Sequence, residues 1–305
     1  MDLAHPKILE YRLIHQLPEL PAASALAFYC GRCFLIGDSS QFLHVLDAGK
    51  VSRFPLTPQA DLAVEPLPKK QKPDFEGLVL DAAGRQLWVL PSGSKKNRFS
   101  GALVDLDSTA YPSRAADFGP LYARVMQAAD IGEKDLNIEG GGILGKGRWF
   151  LLNRGNGPKR KNLIVLLEGE HLLESEPVVS HRLKLPELDG VPATCTDGFA
   201  SDGLLFVIAA AERSESTYDD GELVGSLIAC FDLAGFSPRG WCRLPGHQKF
   251  EGICLQETAP GRKTLLLCSD QDDPGLPGEL YRLVLELADN LALNASEDRW
   301  EKDSA

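Results

Sequence analysis

The chain has 305 residues, 44% hydrophobic and 25% charged, a composition of soluble globular proteins with room for one large domain or two ordinary ones. A formal net charge of −11 argues against general nucleic-acid binding, which needs a basic face for phosphates. No apolar run approaches the ~20 residues of a membrane span, so no membrane association is expected.

The N-terminal "MDLAHPKILEYRLIHQL" has no basic leader ahead of an apolar core, so no signal peptide is expected. Its "EYRLIHQL" reads as an outer strand with one wet face. The first repeating unit runs from Ala23 to Asp47 and holds Cys30 and Cys33, read as facing each other across a tight hairpin turn at Gly31-Arg32. Most of the seven cysteines sit in apolar runs, which points to reduced thiols and a cytoplasmic chain. "VSRFPLT" follows as another outer strand, and Gln59 to Lys72 is expected to be free of sheet.

The second unit spans Phe75 to Asp107. Ala110 to Asp135 reads as a loop with a short helix ("GPLYARVMQAAD"), although "YARVMQA" also stands where an outer strand is due. The third unit spans Ile138 to Gly169, followed by the outer strand "SHRLKLP" and a sheet-free Leu188 to Thr194. The fourth spans Thr196 to Leu233, followed by "RGWCRLP", and the fifth spans Phe250 to Leu287. Each unit is strand, Gly-containing turn, strand, polar loop, strand, at a period of roughly 50 to 60 residues where propeller blades belong. The expected fold is an all-β, five-bladed β-propeller with four-stranded blades. A sixth blade would have to lie in Ala110 to Asp135. Tyr11 to Leu17 should close the ring beside Leu280 to Leu287, removing two exposed edges. Residues 1–287 are then one propeller domain and 288–305 a polar tail.

Three units open on a glutamate followed by glycine: Glu76, Glu139 and Glu251. With Asp197 of "TDGFA" and Ser24, the ring of inner-strand openings reads Ser, Glu, Glu, Asp, Glu. Carboxylates gathered at one channel mouth repel each other unless compensated. A divalent cation held by Glu76, Glu139, Asp197 and Glu251 is one solution, with calcium the expected ion. Hydrogen bonds from backbone N–H groups of neighbouring blades are the other.

The second strands end on the same face. Their loops offer Asp38 in unit one, Lys95, Lys96 and Arg98 in unit two, and Arg154 with Lys159, Arg160 and Lys161 in unit three. Units four and five add Glu212, Asp219, Asp220, Asp270, Asp272 and Asp273. Basic and acidic sectors around a carboxylate-lined hole suit a small phosphorylated ligand, with Asp38, Lys96, Arg98, Arg154, His247 and Asp270 as its expected contacts. His247 is included because it precedes Glu251 by four residues. Nucleophile-elbow, P-loop and zinc-protease motifs are absent.

The E-G-L-type strand openings, "NRGNGPKRKNLI" and the ending "SDQDDPGLPGELYRLVLEL" resemble bacterial uncharacterised propellers related to the esterase-like phytase family, over Ala23 to Leu287. That resemblance implies a phosphoester hydrolase with bound calcium that uses Glu76, Glu139 and Glu251, with Ser24 and Asp197 departing from the pattern. A non-enzymatic scaffold and a glycosidase-like propeller are the other readings. A paucity of aromatic residues in the loops disfavours sugars, and the charged loops disfavour an apolar docking face.

Overall fold

A computed structural model describes residues 3, 5–213, 221–271, 273 and 275–288; the tail assigned to 288–305 lies outside these apart from its first residue. After an N-terminal strand, β1 (Lys7–Leu17), blade I is built of β2 (Ala23–Tyr29), β3 (Arg32–Gly37), β4 (Phe42–Asp47) and β5 (Lys50–Pro55). Blade II is β6 (Phe75–Leu80), β7 (Gln86–Pro91), β8 (Ser100–Asp105) and β9 (Ser113–Asp117), followed by helix α1 (Gly119–Ala129). Blade III is β10 (Ile138–Gly145), β11 (Arg148–Asn153), β12 (Leu163–Glu168) and β13 (Glu176–Arg182). Blade IV has a short extra strand, β14 (Glu187–Leu188), before β15 (Val191–Ser201), β16 (Leu204–Arg213), β17 (Glu222–Asp232) and β18 (Pro238–Arg243). Blade V is β19 (Lys249–Ala259), β20 (Arg262–Asp270) and β21 (Gly278–Glu286), completed by β1. All pairings are antiparallel, and β1 runs along β21 from Lys7 opposite Glu286 to Leu17 opposite Gly278. The chain is thus a five-bladed β-propeller closed by its N-terminal strand.

The strand sequences explain this stacking. Second strands such as "CFLI" in β3 and "LWVL" in β7 are buried on both faces because a neighbouring blade covers each. Outer strands such as β5 and β13 expose most of their side chains. One apolar cluster fills each of the five interfaces between neighbouring blades.

Three local expectations are corrected. "YARVMQA" lies inside α1, and the outer strand of blade II is the upstream Ser113–Asp117. The helix wins because Pro120 stands in its first turn and Leu121, Tyr122, Val125 and Ala129 fall on one buried stripe. The turn between β2 and β3 centres on Cys30 and Gly31, with φ of 48° and 78°, one residue earlier than expected. Two positive φ values make it the twist-matched hairpin turn. Cys30 lies in the turn and Cys33 pairs with Phe28, so they do not face each other. Leu188 to Thr194 is a hairpin rather than a sheet-free segment: Leu188 pairs with Val191 around Asp189-Gly190.

Candidate functional site

The five innermost strands share one irregularity. Each has a β-bulge that leaves one residue without a cross-strand partner: Ser24, Glu76, Glu139, Thr196 and Glu251. A bulge bends the strand and re-aims the side chain of the extra residue. Ser24, Glu76, Glu139 and Glu251 all line a cavity of about 640 Å³. The bulge residue of blade IV is therefore Thr196, and Asp197 stands one place further on, opposite Ile208.

Asp197 belongs to a second ring, with Ala25, Gly77, Gly140 and Gly252. Small residues are needed there because the inner strands touch: a Cβ on Gly140 would lie 3.1 Å from Asp197 Cα and closer still to its carboxylate. Asp197 Oδ1 accepts from its neighbour Gly198 N at 2.7 Å, and Oδ2 accepts from Ile253 N of blade V at 3.0 Å. Burial pushes its carboxyl well above the usual range, against the pull of these two donors. Asp197 stitches blades together by the backbone hydrogen bonds weighed above, and it lies outside the cavity lining.

Within the cavity the carboxylates meet side-chain cations. Lys72 Nζ lies between Asp38 and Asp74, 2.9 Å from Asp74 Oδ1. Burial works to lower the Lys72 pKa, but Asp38, Asp74 and Glu76 outweigh it and hold the ammonium charged. Arg98 Nη1 donates to Asp74 Oδ2 at 2.7 Å and to Ser94 Oγ at 2.9 Å. Arg154 reaches Glu212 at 2.5 Å, Glu139 at 3.4 Å and Glu251 at 3.9 Å. Lys249 reaches Glu251 at 3.1 Å and Glu212 at 3.4 Å. Asn137 Nδ2 donates to Glu139 Oε1. Burial raises the Glu139 carboxyl to about 8 despite Arg154, with Glu251 and Asp74 adding to the rise. Glu76 is raised well above the usual range by burial, then by Asp74, Glu139 and Asp38.

Of the expected ligand contacts, Asp38, Lys96, Arg98, Arg154 and Asp270 line the cavity. His247 is exposed and does not: the residue entering from that segment is Lys249, on the same strand face as Glu251. Lys159, Arg160 and Lys161 also lie outside the lining, and Asp219, Asp220 and Asp272 fall outside the described residues. Sequence reasoning missed Asp74, Asn137 and Lys249. A signal was available, since each stands two residues before a bulge glutamate and the period of 2 puts it on the same face.

The four expected calcium ligands do not form a donor set. Asp197 is held by backbone N–H groups, while Glu139 and Glu251 face Arg154 and Lys249. Among the described residues, acidic oxygens lie within 4.8 Å of one another at Asp38, Asp74 and Glu76, and two of these three hold the Lys72 ammonium. The residues do not fit calcium with Lys72 in place.

The lining is nearly balanced in charge and richer in cations than the chain at large. Lys69, Lys72, Lys95, Lys96, Arg98, Lys134, Arg154 and Lys249 outnumber Asp38, Asp74, Glu76, Glu133, Glu139, Glu251 and Asp270, in a chain of net charge −11. α1 contributes to this wall: Tyr122 Oη donates to Pro91 O at 2.6 Å, and the segment leaving the helix carries Glu133, Lys134 and Asn137 into the lining.

Residues 19–285 match a family described as a family of unknown function, DUF6929. Among curated proteins none matches the chain. In solved structures the chain is similar to Myxococcus xanthus glutaminyl cyclase, with a TM-score of 0.52 and 14% identity over 94% of this chain and 100% of that one. It is also similar to the major Malassezia sympodialis allergen Mala s 1, with a TM-score of 0.51 and 10% identity over 92% and 96% of the two chains. At these identities the likeness is one of fold.

Proposed function

We propose that this chain, which belongs to that family of unknown function, binds a small molecule bearing an anionic group at the mouth of its central channel. The supporting observation is that eight basic side chains, four of them lysines exposed at the rim, gather on one cavity of a chain whose net charge is −11. A concave site with low-dielectric walls focuses such charge onto a ligand. Raised carboxyl pKa values at Glu76 and Glu139 increase the positive balance near neutral pH.

The resemblance to phytase-like propellers extends this reading to phosphoester hydrolysis. What favours that extension is Glu139, whose carboxyl keeps its proton up to about pH 8 beside Arg154. A protonated carboxyl next to a guanidinium can donate to a leaving oxygen while the cation steadies the phosphoryl charge.

Titration calorimetry with inorganic phosphate, a sugar phosphate and citrate tests the binding reading. At least one should bind, more weakly as salt rises, and the double variant Lys96→Glu/Lys134→Glu should lose binding while keeping the parent circular-dichroism spectrum. Binding that ignores both salt and the double variant, or no binding at all, would overturn it.

A further inference from the structure

The cavity is layered. Lys69, Lys95, Lys96 and Lys134 are exposed at its rim, while the bulge glutamates lie deeper. On the floor every fixed cation is already engaged with carboxylates: Lys72 with Asp38 and Asp74, Arg98 with Asp74, Arg154 and Lys249 with Glu139, Glu212 and Glu251. Glu76 is different. Among the described residues it has neither a hydrogen bond nor an ion pair, although its oxygen lies within 4.8 Å of oxygens of Asp38 and Asp74. Glu251, only 5% exposed, also has an oxygen, Oε2, with no hydrogen-bond partner. A buried acceptor left open at Glu251, beside a half-buried and unpaired Glu76, calls for a donor in this polar cavity.

We infer that the ligand of this cavity is a zwitterion, with an ammonium group seated against Glu76 and its anionic group directed at the rim lysines. This rests on the reading that the rim binds an anion. The floor has the chemistry an ammonium needs, as Lys72 Nζ against two of the three clustered carboxylates illustrates. Lys72 acts on Glu76 only through space, and an arriving ammonium would be the direct partner that Glu76 lacks. In its absence protons serve instead: Glu76 is raised by burial and by Asp74, Glu139 and Asp38, opposed by Lys72. Glu139 is raised by burial, Glu251 and Asp74, opposed by Arg154 and Lys249. An ammonium would displace such a proton, whereas a hydroxyl would have no charge with which to do so. The anionic end can be a phosphate or a carboxylate, since lysine ammonium groups take either.

Two matched pairs of probes separate the parts. One is phosphoethanolamine against 2-hydroxyethyl phosphate; the other is β-alanine against 3-hydroxypropionate. In at least one pair the amine should bind about tenfold tighter or more, a modest return for a desolvated charge pair. Calorimetry in buffers of different ionisation enthalpy should show release of about one proton with the amine alone. Glu76→Gln should bring the paired affinities together while anion binding persists. Equal affinities within both pairs, or no proton release from the unaltered protein, would overturn the zwitterion inference and leave the anion reading intact. If none of the four probes nor inorganic phosphate binds, both fall. The pair that binds tells phosphate from carboxylate.

Discussion

Ser24 and Thr196 occupy the same bulge position in blades I and IV, and each hydroxyl donates to the carbonyl preceding a channel glutamate in the next blade. Ser24 Oγ bonds Phe75 O at 2.5 Å, and Thr196 Oγ1 bonds Phe250 O at 2.8 Å. Where the bulge residue is a hydroxyl it therefore fixes the backbone from which Glu76 or Glu251 projects.

Ser24→Ala should destabilise the fold by about 1–2 kcal/mol, the cost of leaving a buried carbonyl without its donor. Thr196→Ser should be close to neutral and Thr196→Val should resemble Ser24→Ala. Urea denaturation of the three variants checks this; a neutral Thr196→Val would show that the hydroxyl contributes nothing.

Gly140→Ala should cost ~1–3 kcal/mol or prevent folding, because its Cβ would press on the backbone of Asp197 at 3.1 Å. Neither partner can move without shifting an inner strand. A thermal melt unchanged from the parent would contradict that packing.

Arg154→Met should destabilise by about 3–5 kcal/mol, since it leaves Glu139 and Glu212 buried without their guanidinium. Adding Glu212→Gln and Glu139→Gln should recover much of the loss. Failure of the triple variant to recover would mean that Arg154 acts through packing.

Glu139 gives a pH signature. Its folded pKa of about 8 lies above its ordinary 4.5, so its contribution to stability is fully present below pH 4.5 and is lost as pH rises through 8. Glu139→Gln should remove this dependence, at most about 1.4 kcal/mol per pH unit within that window. Denaturation curves of parent and variant should therefore diverge in the variant's favour on going from low to high pH. Parallel pH profiles would show that Glu139 titrates normally.

Lys72 sets the response to calcium. Parent melting curves with chelator and with calcium should superimpose, whereas Lys72→Ala, with Asp38, Asp74 and Glu76 opened, should gain about 2.7 kcal/mol at a hundredfold excess over Kd. Stabilisation of the parent by calcium would show that the ion enters without displacing the lysine.

The architecture was legible because it rests on period and composition: doubly buried second strands, wet outer strands and turns at a repeating distance. The site was legible in part. "FEG" and "IEG" marked three of the five bulge positions, but "TDG" misled, since alignment on the glycine hides a bulge that comes one residue earlier, at Thr196. The partners of the glutamates were harder to see. Arg98 and Arg154 were legible as loop cations on the right face, but which carboxylate each meets, and the entry of Lys72, depend on loop paths set by tertiary packing. The two-residue spacing of Asp74, Asn137 and Lys249 was a further signal in the chain. His247 failed because, four residues before Glu251, it lies in the loop ahead of β19, where strand periodicity does not apply.

The pairing of β1 with β21 also constrains the order of assembly on the ribosome. β1 leaves the exit tunnel well before its partner exists, and blades I to IV are synthesised between the two. Until β21 emerges, the exposed Leu9 and Leu13 belong to an unpaired strand with a free edge, the kind of surface that holdase chaperones engage. Blade V cannot be completed during synthesis of the first four, so the nascent chain passes through an open arc that closes when β21 captures β1.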